Sequence, residues 1–128
     1  MDLSELKVYA KAMDLGERVW ELVRRWEQLS RDTVGKQLIR STDSIAGNIS
    51  EGFGRYHFKE NRNHCYYARG SLFETKTWLQ KAKQRKLIDR KEHFRLESEL
   101  TELAKMLNKY IHSIGPSPKY SPSKPSDQ

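Results

Sequence analysis

The chain has 128 residues, 32% of them charged and 36% hydrophobic, with a formal net charge of +7 and a mean hydropathy of −0.89. That length supports one domain with a modest core. No apolar run is long enough to span a bilayer, and the start, MDLSELK, carries no secretory pattern. The single cysteine, Cys65, excludes an intramolecular disulfide framework and a cysteine-based zinc cluster. The expected compartment is the cytoplasm, no membrane is expected as a partner, and a basic balance of this size points to a polyanion.

Helical periodicity recurs four times in chain order. The first run, predicted over residues 4–29, takes Ser4 as its N-cap and buries a broad face of Met13, Leu15, Val19, Trp20, Leu22, Val23 and Trp26. A second helix, predicted over residues 34–51, sets Leu38, Thr42, Ile45 and Ile49 on one face and is stopped by Gly52 and Gly54. Beside that face runs a polar row of Ser41, Ser44, Asn48, Glu51 and Arg55, which reads as a hydrogen-bonded packing surface.

A third helix, predicted over residues 59–86, shows a seam of Asn61, Cys65, Ala68, Leu72, Thr75, Leu79 and Ala82 at alternating steps of four and three. The fourth, predicted over residues 90–114, opens at Asp89 with Glu92 at capping-box spacing and carries His93, Leu96, Leu100, Leu103, Leu107, Tyr110 and Ile114 inward. Short connections between such helices imply an all-α, antiparallel up-down-up-down four-helix bundle over residues 1–114. Residues 115–128, GPSPKYSPSKPSDQ, are too rich in Pro and Ser to pack and are predicted to form a disordered tail.

Charge is distributed unevenly over these elements. Residues 55–91 hold 11 basic and 3 acidic side chains, whereas the flanking segments are close to balanced. Within this stretch a basic residue recurs at every seventh position: Arg55, Arg62, Arg69, Lys76, Lys83 and Arg90. Seven residues are nearly two helical turns, so Arg62 to Lys83 form a rail about 10 Å per step, one residue round from the buried seam and directed outward. Tyr66 and Phe73 follow Arg62 and Arg69 at i,i+4 spacing. Guanidinium groups bind phosphate and aromatic faces stack on unpaired bases, so Arg62, Arg69, Lys76 and Lys83 are the expected nucleic-acid contacts, with Arg55, Lys59, Arg85 and Lys86 secondary. The alternative is a solvated or ion-paired face answered by acids such as Glu17, Glu21, Glu99 and Glu102, with Phe73 marking a protein interface.

The runs QLIRSTDSIAGNISEGFGR, residues 37–55, and YARGSLFETKTWLQKA, residues 67–82, resemble the small four-helix-bundle proteins encoded within intervening sequences of bacterial 23S rRNA genes. Gln37, Arg40, Ser44, Asn48, Glu51, Gly52 and Arg55 occupy the motif positions, with Ser41 departing from the usual basic residue or alanine. The resemblance implies a ring-shaped homopentamer without enzymatic activity. The related accessory proteins of diversity-generating retroelements imply nucleic-acid binding beside a reverse transcriptase, so the expected partners are further copies of the chain, RNA or DNA, and a reverse transcriptase. An acidic protein partner is the competing reading.

Enzymatic and cofactor sites lack their sequence marks. There is no phosphate-binding glycine loop, Ser44 and Asn48 have no histidine base nearby in sequence, and repeated Glu-x-x-His pairs are missing. His57 and His64 would need further ligands to hold a metal, and Cys65 reads as a small packed residue. No catalytic residue, metal or cofactor is expected.

Overall fold

The computed structural model describes residues 1–115, so the predicted disordered tail lies outside the described residues except for Gly115. Four long helices carry the fold: α1 Lys7–Val23, α2 Lys36–Phe53, α3 Phe58–Gln84 and α4 Arg90–Ser113. α1 packs on α2, α2 on α3, α3 on α4, and α4 returns to α1. Contacts across each seam run in opposite chain directions: Ser41 meets Thr75 while Ser44 meets Ser71, and Arg62 reaches Ile114 while Lys76 reaches Thr101. The arrangement is the antiparallel up-down-up-down bundle that the periodicity predicts.

Leu15 and Val19 of α1, Leu38, Ile45 and Ile49 of α2, Leu72 and Leu79 of α3, and Leu96 to Leu107 at the inward positions of α4 fill its centre. All seven residues of the predicted α3 seam are buried, including the polar Asn61 and Thr75. Burial of these leucines and isoleucines supplies the main driving force, on the order of 1.5–3 kcal/mol for each fully buried side chain.

The first predicted helix differs most from the structure. A short 3-10 turn, Leu3–Glu5, precedes it, and the Asp2 amide donates to Glu5 Oε1 at 2.9 Å, so this acid pair rather than Ser4 organises the start. α1 then ends at Val23, six residues before the predicted stop. Beyond it the chain tightens, with the Trp26 amide donating to the Val23 carbonyl at 2.9 Å. A helical turn at Gln28–Ser30 and a π-helical turn at Arg31–Gly35 lead directly into α2. A Cβ on Gly35 would lie 2.6 Å from Val23 Cγ1, so the reversal depends on a close approach between the end of α1 and the start of α2. Trp26 still packs against the core from this turn, as Leu22 does from the last turn of α1. Met13 and Trp20 do not belong to the core: they are 46% and 51% exposed, because the ridge of Val8, Ala12, Leu15, Val19 and Val23 already fills the inward stripe.

Both ends of the α3–α4 turn are capped by specific hydrogen bonds. The Leu87 amide donates to the Ala82 carbonyl at 2.8 Å and the Lys86 amide to the Lys83 carbonyl at 3.0 Å, the paired bonds of a Schellman stop. The left-handed residue of that stop is Lys86, φ 62°, the one non-glycine residue with positive φ among the described residues. α4 starts as predicted, with the Glu92 amide donating to Asp89 Oδ1 at 2.7 Å.

Two glycines of α2 separate packing from propensity. A Cβ on buried Gly52 would lie 2.7 Å from Asn61 Oδ1 and 2.9 Å from both the Asn61 carbonyl oxygen and His64 Cβ, whereas one on Gly47 would meet nothing within 4 Å. Gly52→Ala is therefore expected to cost about 1–3 kcal/mol by forcing α2 and α3 apart. Gly47→Ala should gain about 0.5–1 kcal/mol from helix propensity. Urea unfolding of the two variants beside the wild type measures both.

Candidate nucleic-acid interface

The basic ladder lies along the border of α3 with α4 instead of facing straight out, and three of its rungs are engaged by α4. The Arg62 guanidinium donates to the Ile114 carbonyl at 3.1 Å, and Arg69 donates to Asn108 Oδ1 at 2.9 Å. The Lys76 ammonium lies 3.3 Å from Thr101 Oγ1 and 3.5 Å from a Glu97 carboxylate oxygen. Each seven-residue step up α3 meets a step of six or seven residues down α4, as two antiparallel helices require. These side chains are half-buried and clasp the seam.

The two aromatic neighbours are drawn into the same clasp. Arg69 stands over the Tyr66 ring at 5.1 Å from its centroid, and Lys76 over the Phe73 ring at 5.6 Å, both within cation–π range. Phe73 nonetheless remains 56% exposed, and Tyr66 44%. One face of each ring thus meets a cation of the same helix, and much of each ring still meets solvent.

The remaining predicted contacts divide by position. Arg55, beyond the end of α2, donates to Glu51 at 2.8 Å and so belongs to that helix. Lys59 is exposed on the first turn of α3. Lys83, Arg85 and Lys86 make no side-chain hydrogen bond or ion pair with any described residue. Arg90 and Lys91, on the first turn of α4, adjoin them in the chain and are likewise exposed and unengaged. Arg90 is the last rung of the heptad ladder, and the α3–α4 turn carries it, with Lys91, off the α3 rail and onto the start of α4.

Four motif positions, Arg40, Ser44, Asn48 and Gly52, meet α3, together with the neighbouring Ser41. Thr75 and Ser41 hydroxyls lie 2.9 Å apart, and the Ser71 and Ser44 hydroxyls also 2.9 Å. The Asn48 amide donates to Ser44 Oγ and to the Ser44 carbonyl, both at 3.0 Å, while Asn48 Oδ1 faces His64 Nδ1 at 3.4 Å. Gln37 accepts from Arg40 at 3.0 Å, Arg40 pairs with Glu74, and Gly52 lets the Asn61 backbone approach. Ser41, Ser44 and Asn48 of the polar row therefore pack within one bundle, whereas Glu51 and Arg55 are exposed and pair with each other. The indole N–H of Trp78, then Arg40, donates to Glu74 and holds its carboxyl below the usual carboxylate range.

Two further groups complete the electrostatics. Glu99 on α4 receives Arg18 and Lys11 from α1; the hydrogen bond from Arg18 holds its carboxyl below the usual range. Burial pushes the Cys65 thiol up to about 12, so at neutral pH it is a packed thiol with no thiolate character. Among the described residues no three His, Cys, Asp or Glu side chains are grouped to hold a metal ion, and no helix is long and apolar enough to cross a membrane.

Residues 4–109 match the family model described as 23S rRNA-intervening sequence protein. No curated protein matches the chain significantly. Among solved structures, the chain is similar to a protein with unknown function from the S23 ribosomal protein family of Bacteroides thetaiotaomicron. The two share 25% identity with a TM-score of 0.75, over 82% of this chain and 95% of that one.

Because Glu74 and Glu99 bind protons more weakly in the folded than in the unfolded chain, their contribution to stability is complete above the unfolded carboxylate value. It is lost as pH falls through the depressed folded values. Thermal melts from about pH 7 to about pH 3 should show Glu99→Gln less stable than the wild type at the neutral end. The difference should close at the acidic end, where both side chains are neutral.

Proposed function

The chain belongs to the 23S rRNA-intervening sequence protein family, and from that premise we propose that it is a cytoplasmic, non-enzymatic, homo-oligomeric bundle that binds nucleic acid through its basic α3–α4 hairpin. The observation that carries this reading is the concentration of 11 basic against 3 acidic side chains in residues 55–91. Several of those cations have no acid of their own bundle to neutralise them. Such a surface attracts a polyphosphate through release of its condensed counterions. The family description ties its members to an RNA gene, which makes RNA the first ligand to offer and DNA the second.

Self-assembly is supported by apolar surface the single bundle leaves uncovered. Met13 and Trp20 on α1, and Tyr66 and Phe73 on α3, are exposed on helices that stand diagonally across the bundle from one another. Complementary patches on different sides of one subunit favour a head-to-tail ring over a two-fold dimer, and five subunits is the number the family resemblance implies. The same exposed aromatics favour, as a second reading, docking on an acidic protein such as a reverse transcriptase.

Light scattering should give a molar mass near five times the 15.1 kDa chain. Titration of labelled RNA and DNA through a salt series should give log affinity falling against log salt by about 0.7 to 0.9 per phosphate contact. A flat salt response would refute phosphate binding, and a 15.1 kDa species at micromolar concentration would refute the ring.

A further inference from the structure

We propose that the phosphate-contacting element is the α3–α4 turn, formed by Lys83, Arg85, Lys86, Arg90 and Lys91, and that Arg62, Arg69 and Lys76 serve as interhelix clasps. This rests on the nucleic-acid reading above and assigns its contact site. The ligand chemistry is the phosphodiester backbone, read without base selectivity, since the cations are flexible point and fork donors around one exposed turn.

The division follows from what each cation already touches. Arg62, Arg69 and Lys76 already donate to Ile114, Asn108 and Thr101, so a ligand would have to compete with bonds these three cations make within the bundle. The turn cations have no such commitment to any described residue. Its one acid, Asp89, is occupied in capping α4. The α1–α2 connection is at the same end of the bundle, since Gly35 packs against Val23 and the π-helical turn packs against α3. From there exposed Arg31 and Lys36 add to the same positive end.

Backbone conformation supplies an independent observation. A left-handed residue is required at the Schellman stop of α3, and glycine fills that position at least cost. The chain places Lys86 there instead, at φ 62°. The side chain is exposed and makes no hydrogen bond or ion pair with any described residue that would compensate the strain. A strained lysine at the tip of a cluster of uncommitted cations is accounted for by a ligand outside the bundle.

Lys86→Gly tests this directly, because it opposes stability to binding. The variant should melt about 2–5 °C higher than the wild type yet bind a labelled single-stranded RNA of about 20 nucleotides roughly two- to fivefold more weakly. Its salt slope should be smaller by about 0.7. Arg85→Gln/Arg90→Gln should lose about tenfold or more in affinity at about 100 mM salt, whereas Arg69→Gln/Lys76→Gln, checked for helicity and mass, should lose less than about threefold while melting lower. Equal losses in the two pairs, loss in the clasp pair alone, or wild-type binding by Lys86→Gly would overturn the assignment and leave nucleic-acid binding standing. A wild-type protein that binds neither RNA nor duplex DNA, or binds polyglutamate equally well, would overturn both.

Discussion

Everything in this bundle depends on how closely α2 can approach α3. Asn61 packs its backbone and side chain against Gly52, a position where one methyl group would collide with both. Once the helices are that near, the space between them is too narrow for a second row of leucines. Small hydroxyls and amides fill it instead: Ser41 with Thr75, Ser44 with Ser71, Asn48 with His64. Each pair satisfies groups whose burial alone would cost free energy, and each has a single matching partner along the facing helix. A seam of leucines tolerates sliding by a turn, but a seam of paired polar groups does not, so it defines the register of α3 for the rest of the fold.

That register then decides which cations are committed. With α3 held by α2 on one flank, its other flank meets α4, and the heptad spacing of Arg62, Arg69 and Lys76 brings them to Ile114, Asn108 and Thr101. The long side chains cover apolar surface with their stems while their charged ends satisfy carbonyl, amide and hydroxyl groups. Beyond Lys76 the cations Lys83, Arg85 and Lys86 engage no acceptor among the described residues, and their positive charge is left without a paired counterpart. Charge that looks uniform along a strip of chain is therefore divided by geometry into a structural part and an open part.

The helices themselves were legible in proportion to how strictly side-chain burial followed the backbone. Alternating steps of four and three from Asn61 to Ala82 identify a face that is buried throughout, and the Asp89–Glu92 spacing marks the true start of α4. Along the first predicted helix the rule misleads, because Trp26 goes on packing inward after the chain has left α1. Periodicity records burial, and a turn folded onto the core prolongs it. Arg40–Glu74 and Arg18–Glu99 join residues far apart in sequence, and nothing local anticipates them. The left-handed stop at Lys86 is equally silent, since the glycine that usually marks such a stop is absent.

Cys65 lies on the buried face of α3, fully buried in the core, with its Sγ 3.8 Å from Asn61 Oδ1 one turn earlier. A thiol buried there and pushed up to about 12 reacts with electrophiles only when the core opens around it. The protein therefore carries a built-in clock of its own opening: the rate at which this one sulfur is alkylated reads the free energy of exposing the core face of α3.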